Sequence, residues 1–329
     1  MPVRGRARRR VAAVPALLVV GLLTACSGEP RSEDAGDAGG ASSSTSTPSA
    51  SPSTTSAGPT TGPSPGADAA DLAGRAEDLA GEQATRGADE VVPGGDISWP
   101  QCPRGLGIPE KRTLGMPMPL EEAEYVVVGL TNGPGFHVNP CLADQVAWVA
   151  ERRLLGGAYA VASYPDDAEL AAHRDAGPFD GDDPAGALRN TGWAQAQFNV
   201  ASMRAAGLPA PAVWIDVEPV PDFDWSDDTA ANAAVVEGLA RGYADAGLDI
   251  GVYSTPYLWE QIVGDLELGV GEWRAAGHTS RDEALSRCGS DWVIQGGPAV
   301  LGQWVADDRD QNVTCPGVAP DLGRWFHQF

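Results

Sequence analysis

The chain has 329 residues and a formal net charge of −23, with 45 acidic against 22 basic side chains. So anionic a protein repels phosphate backbones and acidic lipid surfaces, which argues against nucleic acid as a partner and against attachment to a membrane by charge alone. Its positive charge is almost all arginine, Lys111 being the single lysine.

Residues 1–26 read as an export signal. Arg4, Arg6, Arg8, Arg9 and Arg10 form a cationic start, followed by the apolar run VAAVPALLVVGLL and then LLTAC. The run is too short for a stable membrane span. Leu-x-x-Cys at its end resembles a bacterial lipobox, which implies lipidation of Cys26 and anchoring to the outer face of the cell membrane; a plain secretory signal, giving a released protein, is the other reading.

Residues 27–94 read as a linker. ASSSTSTPSASPSTTSAGPTTGPSPG is low in complexity, and between 27 and 90 the only large aliphatics are Leu72 and Leu79, too few for a core. A flexible coil of this length reaches about 45 Å from its anchor.

Residues 95–329 are expected to form one domain, close in length to the roughly 250 residues typical of an α/β barrel. Strand-like runs occur at DISW (96–99), YVVVGLT (125–131), GAYAVASY (157–164), AVWIDVE (212–218), DIGVYST (249–255), WVIQGG (292–297), LGQWVAD (301–307) and RWFHQF (324–329). Helix-period segments lie between them, among them CLADQVAWVAERR, NTGWAQAQFNVASMRAAG and TAANAAVVEGLARGYADAG. Strands alternating with helices imply βα units and a parallel sheet, and eight strand candidates predict a modified (β/α)8, TIM-like barrel of the α/β class. The glycine-rich stretch 265–291 has no clear pattern.

With Cys26 set aside, Cys102, Cys141, Cys288 and Cys315 form an even set in an exported chain, the signature of two disulfides. Three pairings are possible; the separation of the cysteines into two groups favours Cys102–Cys141 and Cys288–Cys315. There is no Cys-x-x-Cys, and His137, His173, His278 and His327 lack ligand spacing, so neither a metal site nor a cofactor is expected.

The chemistry concentrates in WIDVEP. Residues two apart on a strand share a face, so Asp216 and Glu218 point the same way at the C-terminal end of a strand that Pro219 stops. Barrel enzymes build their sites at that end. Buried neighbouring carboxylates repel and hold a proton near neutral pH, which supplies the acid and base that glycosidic cleavage needs. The plain structural alternative is a strand-end pair that caps a helix or binds an arginine.

The order of motifs resembles the glycoside hydrolase family 25 lysozymes. Gly94–Ser98 with Trp99 and Gln101 is similar to the family's opening motif, WIDVEP to its Asp-x-Glu strand, and GVYSTPYLW and GQWVAD to later strands. SWPQCP and NPCL look like a cysteine-bearing actinobacterial branch of that superfamily. The resemblance implies Glu218 as general acid, Asp216 as its electrostatic partner or the group that orients a substrate N-acetyl, Asp96 in the same cluster, and Tyr253, Trp304, Trp99 and Gln101 as sugar-binding residues. It also implies a last acid beyond the final strand, and none follows Asp321. Three functions fit: a monomeric, tethered glycosidase acting on cell-wall glycan, a catalytically inactive barrel that binds such glycan or an envelope partner, and, more weakly, an envelope lipoprotein with only a structural role.

Overall fold

The computed structural model describes residues 86–329. The signal segment, Cys26 and the linker as far as residue 85 lie outside the described residues.

Nine strands make one sheet: β1 (Pro93–Ile97), β2 (Tyr125–Gly129), β3 (Leu155–Val161), β4 (Ala212–Asp216), β5 (Asp249–Ser254), β6 (Gly271–Ala275), β7 (Ala299–Ala306), β8 (Arg309–Thr314) and β9 (His327–Gln328). β1 to β7 pair in sequence and in parallel. β8 runs antiparallel to both β7 and β1 and so closes an eight-stranded barrel. Six helices pack outside it: α1 (Leu142–Glu151), α2 (Asp167–His173), α3 (Pro184–Ala205), α4 (Thr229–Asp245), α5 (Pro256–Val263) and α6 (Arg281–Ser286). Asp183, Asp228, Thr255 and Ser280 cap helices by accepting backbone N–H bonds, so polar residues at strand-to-helix junctions set where these helices begin. α3 and α4 meet backbone to backbone, because any side chain at Gly192 or Gly238 would strike a carbonyl of the other helix.

Strand pleating divides the apolar residues into two cores. Val126, Val128, Val213, Ile215 and Val252 face outward against the helices. Tyr125, Val127, Trp214, Trp273 and Leu301 face inward. The barrel floor is an aromatic layer in which Trp214 stacks on Trp325 with centroids 4.9 Å apart and Tyr125 meets Phe326 at 4.6 Å. Gly251 leaves the space that the Trp214 ring occupies.

The chain enters the barrel earlier than the composition indicates. β1 starts at Pro93, and Val92 is fully buried. Three further expectations are corrected. WVIQGG is not a strand: the backbone N–H groups of Ile294, Gln295 and Gly297 donate at 3.0, 2.8 and 3.0 Å to the buried Glu272 carboxylate rather than to a neighbouring strand. The sixth strand is instead GEWRA, inside the stretch without a clear pattern; its Glu272 and Arg274 are paired at 2.6 Å and fully enclosed, so a buried ion pair hides the apolar signal. RWFHQF is not the eighth barrel strand, because Trp325 and Phe326 plug the barrel bottom and only His327–Gln328 pair, antiparallel to Leu155–Gly156. The eighth is the polar RDQNVT, reached through a two-residue hairpin whose Asp307 and Asp308 both adopt positive φ, 55° and 56°. That reversal is why the sheet is mixed rather than wholly parallel.

Two disulfides join Cys102 to Cys141 and Cys288 to Cys315. The second ties the loop after α6 to the end of β8. Arg274 Nη1 holds the same loop by donating to the carbonyls of Arg287 (2.7 Å) and Gly289 (2.8 Å). Glu272→Ala, which strands the Arg274 cation inside, is expected to cost about 3–5 kcal/mol of stability in urea unfolding; a loss under about 1 kcal/mol would refute this account of the loop.

Candidate active site

At the C-terminal mouth of the barrel lies a cleft of about 970 Å³. Asp96 from β1, Asp216 and Glu218 at the end of β4, and Asp310 from β8 all line it. Pleat parity puts Asp96 inward between Gly94 and Ser98, and Asp216 inward above Trp214. Antiparallel register sets Asp96 directly opposite Asp310, a like-charge cross-strand pair that would destabilise a sheet unless one partner held a proton.

Asp96 is held by a relay of neutral groups. Its Oδ1 accepts from Gln303 Nε2 at 3.0 Å and from Asn312 Nδ2 at 2.7 Å. Each amide is oriented from behind: Tyr253 donates its hydroxyl to Gln303 Oε1 at 2.7 Å, and Trp273 Nε1 donates to Asn312 Oδ1 at 2.8 Å. Both amides must therefore present NH2 to Asp96. Asp216 differs: it is buried, and its Oδ1 has no hydrogen-bond partner among the described residues. Behind Glu218, Trp225 Nε1 donates to the Glu218 carbonyl at 3.0 Å and fixes the strand end.

No arginine or lysine among the described residues forms an ion pair with any of the four acids. Their pKa values rise accordingly. Burial, then the Asp310 charge, pushes Asp96 well above the carboxylate range, against the opposing pull of its two amide bonds. Burial, then Glu218 and Asp96, does the same to Asp216. Burial and Asp310 raise Glu218 to about 7. Burial raises Asp310, while His278 draws it down. Glu218 is thus suited to hold a proton near neutrality and give it up, which is what a general acid needs. Among the described residues no group of three or more His, Cys, Asp or Glu side chains is placed to hold a metal ion.

The residues singled out in the sequence divide. Asp96, Asp216, Glu218, Tyr253 and Trp99 all line the cleft. Trp304 does not: it alternates with the inward Gln303 along β7 and packs outside the barrel near Ala284 and Val313. Gln101 is also outside the cleft, buried with its Oε1 accepting from the Ser98 backbone in a local cap. Sequence reading missed Asp310, Gln303 and Asn312. Asp310 supplies a fourth carboxylate from a strand ahead of Asp321, where no acid was sought, and a polar inward stripe on RDQNVT was the available signal. Gln303 stood one residue from Trp304, on the opposite face.

The chain is similar in part to known proteins. The family described as lysozyme-like protein 1 matches residues 184–278, the segment from α3 through β6 that carries the Asp-x-Glu strand. The probable family 25 lysozyme 4 of Dictyostelium discoideum is 44% identical over 52 residues, 16% of this chain and 23% of that protein. Lysozyme-like protein 5 of Caenorhabditis elegans is 31% identical over 70 residues, 21% of this chain and 31% of that protein. The chain therefore matches under a third of the length of either relative. Among solved structures, the muramidase of Acremonium alcalophilum aligns over 71% of this chain and 99% of its own at 16% identity and a TM-score of 0.45. The catalytic domain of endolysin ply40 from a Listeria monocytogenes bacteriophage aligns over 72% and 99% at 15% identity and 0.44. The likeness to lysozyme-like proteins covers part of the chain, centred on the segment with the Asp-x-Glu strand.

The raised acids have a consequence for stability. Because Glu218 binds its proton more tightly folded than unfolded, its contribution is fully present below its ordinary pKa of 4.5 and is lost as pH rises to about 7. The urea midpoint of the protein is expected to fall across that window, and Glu218→Gln to flatten the fall; a profile unchanged by the substitution would contradict the assignment.

Proposed function

We propose that the protein is an extracytoplasmic glycosidase that cleaves cell-wall glycan of the peptidoglycan type, with Glu218 as general acid. The observation that carries this reading is the convergence of Asp96, Asp216, Glu218 and Asp310 in one open cleft, without a paired cation among the described residues. Glu218 gives its proton to the leaving glycosidic oxygen as the bond to the anomeric carbon breaks. Asp216, which lines the cleft, orients the N–H of a substrate N-acetyl group, whose carbonyl oxygen attacks the anomeric carbon from the other side. Water then opens the cyclic intermediate, and the Glu218 carboxylate takes its proton. The member of the Asp96–Asp310 pair that stays ionised stabilises positive charge near the ring, and Tyr253 and Trp99 offer aromatic faces to sugars.

Glu218→Gln in the full-length protein is expected to lower glycan release from purified walls by about 100-fold or more, the usual range for a lost general acid. Equal, background-level release from both proteins would instead favour the inactive, glycan-binding barrel. Activity should decline as pH rises through about 7, where Glu218 loses its proton. Asp310→Asn, which removes the second cause of that elevation, should move the decline to lower pH.

The lipobox-like LLTAC supports tethering by a lipid on Cys26, and the Ser/Thr/Pro-rich linker supports a catalytic domain held away from the membrane surface. Cys26→Ala should release the protein into the medium. Continued retention with the cell membrane would rule out the lipid anchor.

A further inference from the structure

Among the described residues Tyr257 is the most exposed large apolar side chain, with 66% of its surface open. A single exposed ring on a protein surface is ordinary and asks for no explanation. This one borders the cleft, whereas the other strongly exposed apolar side chains, Leu106, Leu114, Val138 and Val293, do not. An uncovered ring beside a cleft is a surface that a ligand with an apolar face can cover.

Tyr257 is held by its helix. Thr255 caps α5 by accepting from the Leu258 backbone N–H at 3.1 Å, and Pro256 opens the first turn. Trp259, Ile262 and Val263 are buried and anchor the helix on the barrel. Tyr257 stands two residues before Trp259, on the opposite side of the helix, and so projects outward. One turn on, Gln261 Nε2 donates to the Tyr257 hydroxyl at 2.8 Å, which steadies the ring and leaves the hydroxyl proton to donate in turn. Strand order gives its place on the mouth. β1 and β5 are four strands apart in a closed barrel of eight, so Trp99 after β1 and Tyr257 after β5 stand across the mouth from each other, with the inward acids between. Trp292, the next aromatic round the rim, already has one face covered: the Arg287 guanidinium carbon lies 3.3 Å from its ring centroid.

We propose that Tyr257 is a specificity-determining residue, a stacking plate for a sugar ring that lies outside the point of cleavage. The inference deepens the proposed function and rests on it for the ligand's being a glycan. A pyranose presents C–H groups on its face and hydroxyls at its edge, which matches an open aromatic ring carrying a hydroxyl that can donate. A strand lying from Trp99 over the acids to Tyr257 covers both plates, whereas a disaccharide seated at the acids does not reach the second. The cleft thereby favours long strands over short ones.

Binding is measured by calorimetry on full-length protein carrying Glu218→Gln, so that hydrolysis does not consume the probe. The probes are peptide-free wall glycan fragments of two and of six sugars. Adding Tyr257→Ala is expected to weaken the six-sugar fragment about fivefold, as for one lost aromatic contact, and to leave the two-sugar fragment within about twofold. Tyr257→Phe, which keeps the ring, is expected to retain most of the affinity for the longer fragment. Because Tyr257 is exposed, neither substitution should move the urea midpoint, which separates lost binding from lost folding. Equal weakening of both fragments, an unchanged six-sugar affinity, or a parent protein that binds neither fragment overturns the proposal. If six-sugar binding depends on Tyr257 while the protein carrying native Glu218 hydrolyses no wall glycan, the proposed catalysis falls and this site stands. If that protein does release glycan and Tyr257→Ala leaves its KM for long strands unchanged, the site falls and the catalysis stands.

Discussion

Four carboxylates facing one another in a barrel mouth, with no cation among the described residues paired to any of them, set the terms for the rest of this structure. Repulsion and desolvation together would open the strand ends if all four were charged. The protein answers with protons, retained by raised pKa values, and with neutral donors, the amides that Tyr253 and Trp273 orient toward Asp96. An arginine would have neutralised the cluster at lower cost, but it would also have lowered the pKa values and removed the proton that the proposed mechanism has Glu218 deliver.

The same barrel shows what a paired buried acid does. Glu272 is as buried as Asp96, yet Arg274 and three backbone N–H groups meet its oxygens. That arrangement shapes structure: it gathers the loop after α6 and, through it, sets Arg287 and Trp292 at the cleft wall. The two buried acid sites lie on different faces of the sheet. The inward one forms the candidate site, and the outward one supports the wall beside it. Beneath both, the aromatic floor of Trp214, Trp273, Trp325 and Phe326 gives the strands a rigid base.

Much of this was legible in the residues. Five of the eight barrel strands announced themselves by apolar runs before the ambiguous stretch, and the seventh did so again in LGQWVAD. Asp216 and Glu218 followed from a period of two and a terminal proline. The failures share one cause. GEWRA and RDQNVT carry polar residues on faces that are buried, so hydrophobic patterning passes over them; WVIQGG and RWFHQF are apolar because they pack, not because they pair. Trp304 was assigned to the cleft by its company in GQWVAD, but a one-residue difference in parity turns a strand residue to the opposite side of the sheet.

By itself the sequence determined the class of fold, the strand that holds the central acids and the grouping of the cysteines, since all of these rest on local period and spacing. Tertiary structure alone decided that β8 reverses, and so brings Asp310 opposite Asp96. It likewise decided that Gln303 and Asn312 hold Asp96 while Trp304 turns away. Each of these depends on contacts between residues far apart in the chain, where closure of the barrel, rather than any local preference, chooses the neighbours.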